Sequence, residues 1–226
     1  ILKLLHTDRL KDLKSLELFD REAKVLAALD HPAIPRYVDS FTLAEDGKPS
    51  AMALVQAFVP GENLAVRMKR GERLSEPQMI DWFAQLLDVL AYLHHLSPPV
   101  IHRDVTPKNI ILSPDGKAFL VDFGTVQAAV VSASASSSTA AGTFGYAPME
   151  QFVSRAYPSS DLYGLAMTYL AVATGKEPEE LPLDGVRVDV RGALSTDARI
   201  VLLLDAMTEP DPRHRLGDAR LALERI

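Results

Sequence analysis

The stretch "VIHRDVTPKNIILSPDGKAFLVDFGT", residues 100–125, decides how the rest of the chain is read. Two apolar, strand-like runs within it suggest a hairpin, and chemically capable residues sit on the turns that flank them. Asp104 and Asn109 share a proline-containing loop, while Asp122 follows the second run, "AFLVDFG", where a turn exposes its side chain. Any one of these residues alone is ordinary turn chemistry. In this order, with a hairpin between them, they are far more specific. Asn109 and Asp122 offer hard oxygen ligands that suit Mg²⁺ on a nucleotide phosphate, and Asp104 is left as a base.

Composition bounds the rest. The chain has 226 residues, 47% of them hydrophobic, enough for one sizeable core or a two-lobed unit. A formal net charge of -6 argues against nucleic acid as the main partner, because phosphate backbones reward clustered Lys and Arg. Without cysteine there is neither a disulfide frame nor a thiolate metal site. The uncharged run from Leu162 to Thr174 falls short of the roughly 20 residues a bilayer requires, so it reads as a buried helix and no membrane segment is expected within the chain. "ILKLLHTDRLKDLKSLELFD" lacks the pattern of a secretory signal. The expected address is cytoplasmic, with an anchor outside this chain left open.

The texture changes along the chain. From Ile1 to Phe58 it reads strand, helix, then two strands around the turn "EDGKP". The helix rests on Leu16, Phe19, Ala23 and Leu26 at steps of three and four, with Ser15 available as cap. "VPGENL" breaks the strand pattern and serves as a connector. Beyond it the chain is mainly helical. Ser75 and Gln78 form a capping-box pattern ahead of Met79, Phe83, Leu86, Leu90 and Leu93, which share one helical face. "VVSASASSSTAAGT" is built of small residues that bury little surface, and a mobile loop is expected there.

These motifs and their order resemble a protein kinase catalytic domain of the bacterial Ser/Thr type. The resemblance covers nearly the whole chain. "HRDVTPKN" is similar to the catalytic loop, which implies that Asp104 is the base toward the substrate hydroxyl and Asn109 a metal ligand. "DFG" implies that Asp122 is the second metal ligand. "GTFGYAPMEQ" resembles the end of the activation segment, with Glu150 its closing acid and Arg215 of "DPRHRL" the expected ion-pair partner. Thr143 is expected to contact Asp104 through its hydroxyl. Asp161, in "SSDLYGLAM", is expected to hold the catalytic-loop backbone.

At the other end, "ILK" resembles the strand whose lysine grips the nucleotide phosphates, which makes Lys3 that residue and Glu22 its partner on the next helix. Leu26, Tyr37, His102 and Phe123 would form an apolar column between lobes. By the family pattern adenine meets the connector backbone at Ala57 and Val59, with Gln56 at the back wall and Ile1 and Ile111 on its two faces, while Asn63 reaches the ribose. The implied fold is α+β and two-lobed, with a truncated small lobe at 1–58 and a mainly helical large lobe at 59–226. The glycine-rich loop that the family places before Lys3 is missing from this stretch, and a chain without it is expected to hold ATP poorly.

The implied activity is transfer of the ATP γ-phosphate to Ser or Thr hydroxyls of a protein, with Mg²⁺, or alternatively Mn²⁺, as the metal. The alternatives are a pseudokinase or scaffold domain and a small-molecule phosphotransferase. Against the first stands the presence of Asp104, Asn109 and Asp122 together. Against the second stand Arg103, the segment 142–150 and the Glu150 and Arg215 pairing. Arg103 is also the expected anchor for a phosphate on Ser132, Ser134, Ser136, Ser137, Ser138 or Thr139, which implies control by phosphorylation and allows self-phosphorylation in trans. Thr106 stands where most Ser/Thr members carry a lysine. Lys108 is expected to replace that charge in catalysis and to disfavour substrates with basic residues just before the acceptor.

Overall fold

A computed structural model describes residues 1–6, 13–45, 48–124, 126–128 and 143–226. The candidate phosphoacceptors from Ser132 to Thr139, the mobile loop expected around them and the centre of the "EDGKP" turn lie outside the described residues.

The first sheet is antiparallel, with β1 (Leu2–His6) and β2 (Tyr37–Glu45) on either side of β3 (Lys48–Gln56). In this register Lys3, Leu54 and Ser40 lie side by side and so share one face of the pleat. Helix α1 (Leu13–Ala28) buries Phe19, Ala23 and Leu26, and the same stripe carries the buried Glu22. The helix begins before Ser15, which therefore lies in its first turn and does not precede it as the sequence suggests. Leu13 and Lys14 are good helix formers and extend the helix upstream.

Leaving β3, the connector turns at Gly61, whose φ is +122°, and enters β4 (Glu62–Asn63). This two-residue strand pairs with β6 (Ile110–Leu112), which in turn forms a hairpin with β7 (Ala118–Leu120). The connector is thereby joined to the hairpin that carries the site residues. Gly61 is required twice over. A Cβ there would stand 2.2 Å from the Leu112 carbonyl oxygen, and the backbone angle is one that other residues adopt only under strain.

Next come α2 (Leu64–Lys69) and α3 (Glu76–His94). The Ser75 and Gln78 capping box is present at the start of α3, and Met79, Phe83, Leu86, Leu90 and Leu93 are all buried on it. Helix α3 packs on α5 (Pro158–Thr174), with the Phe83 and Tyr169 rings in edge contact at 4.9 Å between centroids. From Ser159 to Val172 every residue of α5 except Tyr163 is buried, as the uncharged run predicts. The short strands β5 (Val100–Ile101) and β8 (Gln127–Ala128) pair across the catalytic-loop region. Helix α4 (Met149–Phe152) precedes α5; the hairpin of β9 (Leu183–Asp184) and β10 (Arg187–Val188), then α6 (Val190–Ala193), α7 (Ala198–Met207) and α8 (Ala219–Leu223) follow it. Among the described residues no helix is long and apolar enough to cross a membrane.

Gly61→Ala should lower stability by about 2 kcal/mol or more, since strain and overlap act together. Urea unfolding followed by circular dichroism checks this, and an unchanged midpoint would show that the connector can shift away from Leu112.

Candidate active site

The catalytic loop hangs from α5. The buried Asp161 carboxylate accepts the His102 N–H at 2.9 Å, the Arg103 N–H at 2.7 Å and a contact from the His94 ring at 2.9 Å. Further along α5 the Thr168 hydroxyl donates to the Val105 carbonyl at 3.0 Å. These bonds hold Arg103 at a φ of +70°, a conformation a non-glycine residue keeps only when its surroundings impose it. The Gln151 side-chain amide adds a bond of 3.0 Å to the Arg103 carbonyl.

Asp104 is fixed by donors on both oxygens. Thr143 Oγ1 donates to Oδ1 at 2.9 Å and Asn109 Nδ2 to Oδ2 at 2.7 Å. With Nδ2 committed there, and also to the Asp104 carbonyl at 2.9 Å, Asn109 keeps its amide oxygen as the side-chain atom suited to a cation. Lys108 lies on the same 3₁₀ turn, Pro107–Asn109, but is exposed and makes no ion pair or hydrogen bond to another described residue. The structure does not bring it to Asp104. Thr106 is buried, and its hydroxyl finds no hydrogen-bond partner among the described residues.

On the sheet side Lys3 Nζ bonds both oxygens of Glu22, at 2.9 and 2.8 Å, and Asp122 Oδ1 at 3.0 Å. One ammonium thus ties β1, α1 and the turn after β7. Burial works against the charged Lys3, yet the two carboxylates outweigh it and raise its pKa. For Glu22 burial prevails and its pKa is raised, with Lys3 pulling the other way. Asp122 is also desolvated, but Lys3 overcomes that effect and holds its carboxyl below the usual range. Asp122 has a φ of +64°, which Asp tolerates better than most residues. Burial keeps the His102 imidazole neutral against the nearby carboxylates of Asp161, Asp104 and Asp122. Its ring meets Phe123 edge-on at 4.9 Å, and Leu26 and Phe123 are buried, while Tyr37 is half-buried with its hydroxyl on Ser40.

A cleft of about 270 Å³ opens beside these groups, lined by Ile1, Lys3, Glu22, Gln56, Val59, Ile111 and Asp122, together with Leu2 and Val121. Two expected nucleotide residues are placed differently. Ala57 does not line the cleft, and its N–H is committed to the Arg36 carbonyl at 2.8 Å. Asn63 is employed as the cap of α2, accepting the Val66 N–H at 2.9 Å, a demand set by the helix that starts immediately after it.

Behind the site Glu150 and Arg215 form a buried pair at 2.5 Å, with Ser160 donating to Glu150 at 2.8 Å. Arg215 also reaches the carbonyls of Glu209 and Pro210 and lies over the Tyr163 ring at 5.0 Å. Sequence reasoning missed His94, Gln151 and Ser160. Gln151 follows Glu150 directly and Ser160 precedes Asp161, so adjacency was the one signal available.

The protein kinase domain family matches residues 1–223, and the chain belongs to that family. It is 34% identical over 222 residues to serine/threonine-protein kinase B of Synechocystis, a match covering 93% of this chain and 38% of that protein. It is 36% identical over 224 residues to serine/threonine-protein kinase PknA of Nostoc, again 93% of this chain and 38% of the relative. With serine/threonine-protein kinase PknA of Mycobacterium tuberculosis it shares 32% identity over 177 residues, 78% of this chain and 41% of the other. The chain spans about two fifths of the length of these relatives.

Arg215→Met should destabilise the fold by roughly 3–5 kcal/mol, because it leaves the Glu150 carboxylate buried without its counter-ion. Chemical denaturation measures this. A carbon-detected NMR titration should find Glu22 taking up its proton above the ordinary value of 4.5. In Lys3→Met the midpoint should rise further, since the pull of Lys3 against burial is then gone; a fall would reverse the assigned balance.

Proposed function

We propose that this chain is the catalytic part of a Ser/Thr protein kinase, transferring the γ-phosphate of ATP to hydroxyls of a protein. The observation that carries this reading is the fixed Asp104 carboxylate, held by Thr143 and Asn109, together with a second acid, Asp122, that is tied to Lys3. The named kinases among its relatives add to it. In this reading residues 1–58 form the small lobe and 59–226 the large one, with nucleotide between them.

Hard oxygen donors fit a divalent metal. The Asn109 amide oxygen and the Asp122 carboxylate would hold Mg²⁺, with phosphate and water oxygens completing its shell. When bound, the metal supplies charge neutralisation on the phosphates. Among the described residues no group of three or more His, Cys, Asp and Glu is placed to hold a metal, so a protein-only cage is not part of this proposal. Lys3 is the cation available to phosphate oxygens, and Glu22 orients it. Ile1 and Ile111 bound the ring of the base, with Gln56 behind and the connector at Val59.

Asp104 orients the incoming hydroxyl and accepts its proton as the oxygen attacks phosphorus. Its two donors hold it correctly turned, while no cation among the described residues pairs with it. Lys108 is exposed at the rim of the same loop, where it meets an arriving substrate and the charge that develops on transfer. A cytoplasmic address and control by phosphorylation of the segment containing Ser132 to Thr139 belong to the same proposal.

Asp104→Asn in the full-length parent protein should reduce γ-phosphate transfer roughly 10²–10⁴-fold while leaving nucleotide binding nearly intact. Asp122→Ala should weaken both. Radiolabelled transfer assays beside calorimetric binding separate the two, and parental turnover in Asp104→Asn would remove the base assignment. Lys108→Met should lower turnover by about tenfold with little change in the KM for ATP, as befits loss of about 1.4 kcal/mol at the transition state; equal turnover would leave Lys108 a solvated lysine.

A further inference from the structure

The segment between α5 and α6 has surface chemistry that phosphate transfer does not use. The β9 and β10 hairpin exposes Val186 (86%) and Leu183 (65%) to solvent. The run that leads into the hairpin carries exposed Glu177, Glu179 and Glu180, after the exposed Lys176, and Asp184 lies on the hairpin itself. The hairpin is nevertheless firmly held. From behind, Arg187 bonds Asp205 at 3.2 Å and Glu209 at 3.1 Å, so its charge is already engaged by α7 and the turn after it. The apolar tip is left exposed together with Glu179 and Asp184, while Glu180, also exposed, accepts the Glu177 N–H at 2.9 Å.

The same segment is joined to the loop that contacts Asp104. A Cβ at Gly145, where φ is +82°, would stand 2.6 Å from the Pro178 side chain, so the two backbones approach as only glycine allows. One residue on, the Tyr146 hydroxyl donates to Glu177 at 2.9 Å. Burial, together with Glu177 and Glu179, keeps that phenol protonated. Thr143, on the same short loop, donates to Asp104.

We propose that the 177–186 segment is a docking surface for the protein substrate, recognising a substrate segment that combines basic and apolar side chains. This rests on the kinase reading above. Leu183 and Val186 supply the apolar anchor, and the surrounding carboxylates select cationic over anionic partners. Anchoring through Pro178 and Tyr146 holds the docked chain at a fixed distance from Asp104, which raises the effective concentration of an acceptor hydroxyl on the same chain. Lys108 and the acidic segment then act on different parts of one substrate: the first disfavours positive charge beside the acceptor, the second attracts it farther away.

The test uses the full-length parent protein and three fluorescent peptides that alternate Lys with Leu, Lys with Ser, or Glu with Leu. Fluorescence anisotropy should show the Lys-Leu peptide binding tightest. Binding should weaken roughly fivefold or more in the Leu183→Ser, Val186→Ser double variant and in the Glu179→Lys, Glu180→Lys double variant. Attached to a short Ser-containing acceptor, the Lys-Leu segment should lower KM in the parent but not in either variant, while the acceptor alone is turned over equally by all three proteins. Equal Lys-Leu binding in parent and variants, or equal binding of the Lys-Ser peptide, would overturn the proposal. So would slower turnover of the bare acceptor in the variants, which would make the segment structural. Selective binding by a parent that transfers no phosphate would instead refute the kinase reading and leave the docking surface standing.

Discussion

The site depends first on one desolvated carboxylate. A carboxyl group buried as deeply as Asp161 is costly unless hydrogen-bond partners surround it, and here two consecutive backbone N–H groups and the His94 ring do so. The compensation has a geometric result. Directly after these two amides the chain turns at the left-handed Arg103. Asp104 follows immediately, so its position is inherited from a helix whose own position is fixed by packing on nearly every side. Glu150 is held through the same helix by Ser160, which makes α5 the common support of Asp104 and of the loop facing it.

Charge is distributed unevenly over the two halves of the site. Among the described residues one cation, Lys3, is paired with two carboxylates, Glu22 and Asp122, so the sheet side carries a net negative character. Around Asp104 the balance is struck by neutral donors. Such donors fix the direction of the carboxylate without bringing a positive charge against it. The buried Thr106 hydroxyl, without a hydrogen-bond partner among the described residues, brings no charge to this loop.

Much of this was legible in the sequence because it is written locally. The capping box at Ser75 and Gln78, the amphipathic stripe of α3 and the uncharged run of α5 each lie within a few turns of one element. Asp104, Asn109 and Asp122 were legible as a set because a hairpin short enough to recognise separates them. The resemblance supplied the longer pairings, Lys3 with Glu22 and Glu150 with Arg215, which spacing alone does not reveal. What escaped has distant partners or little pattern. A two-residue strand such as β4 has no periodicity to detect, and Asn63 looked like a free ribose ligand because its competing role depends on α2 starting at the next residue. Ser15 misled for the opposite reason: a good capping residue sat inside a run that propagates helix through it. Gln151 and His94 find partners far along the chain, so nothing nearby marks them.

The pairing of Glu150 with Arg215 has a consequence for synthesis on the ribosome. Lys3 and Glu22 can meet as soon as the first helix has left the exit tunnel, and Asp161 can seize the catalytic-loop amides once α5 has emerged. Glu150, however, is buried beside α5 with its counter-ion still unmade for a further 65 residues. During that interval the loop bearing Thr143 and Gln151 lacks its ionic brace and has reason to stay open to solvent. The nascent chain therefore closes the cleft beside Lys3 and Asp122 before it settles the loop facing Asp104.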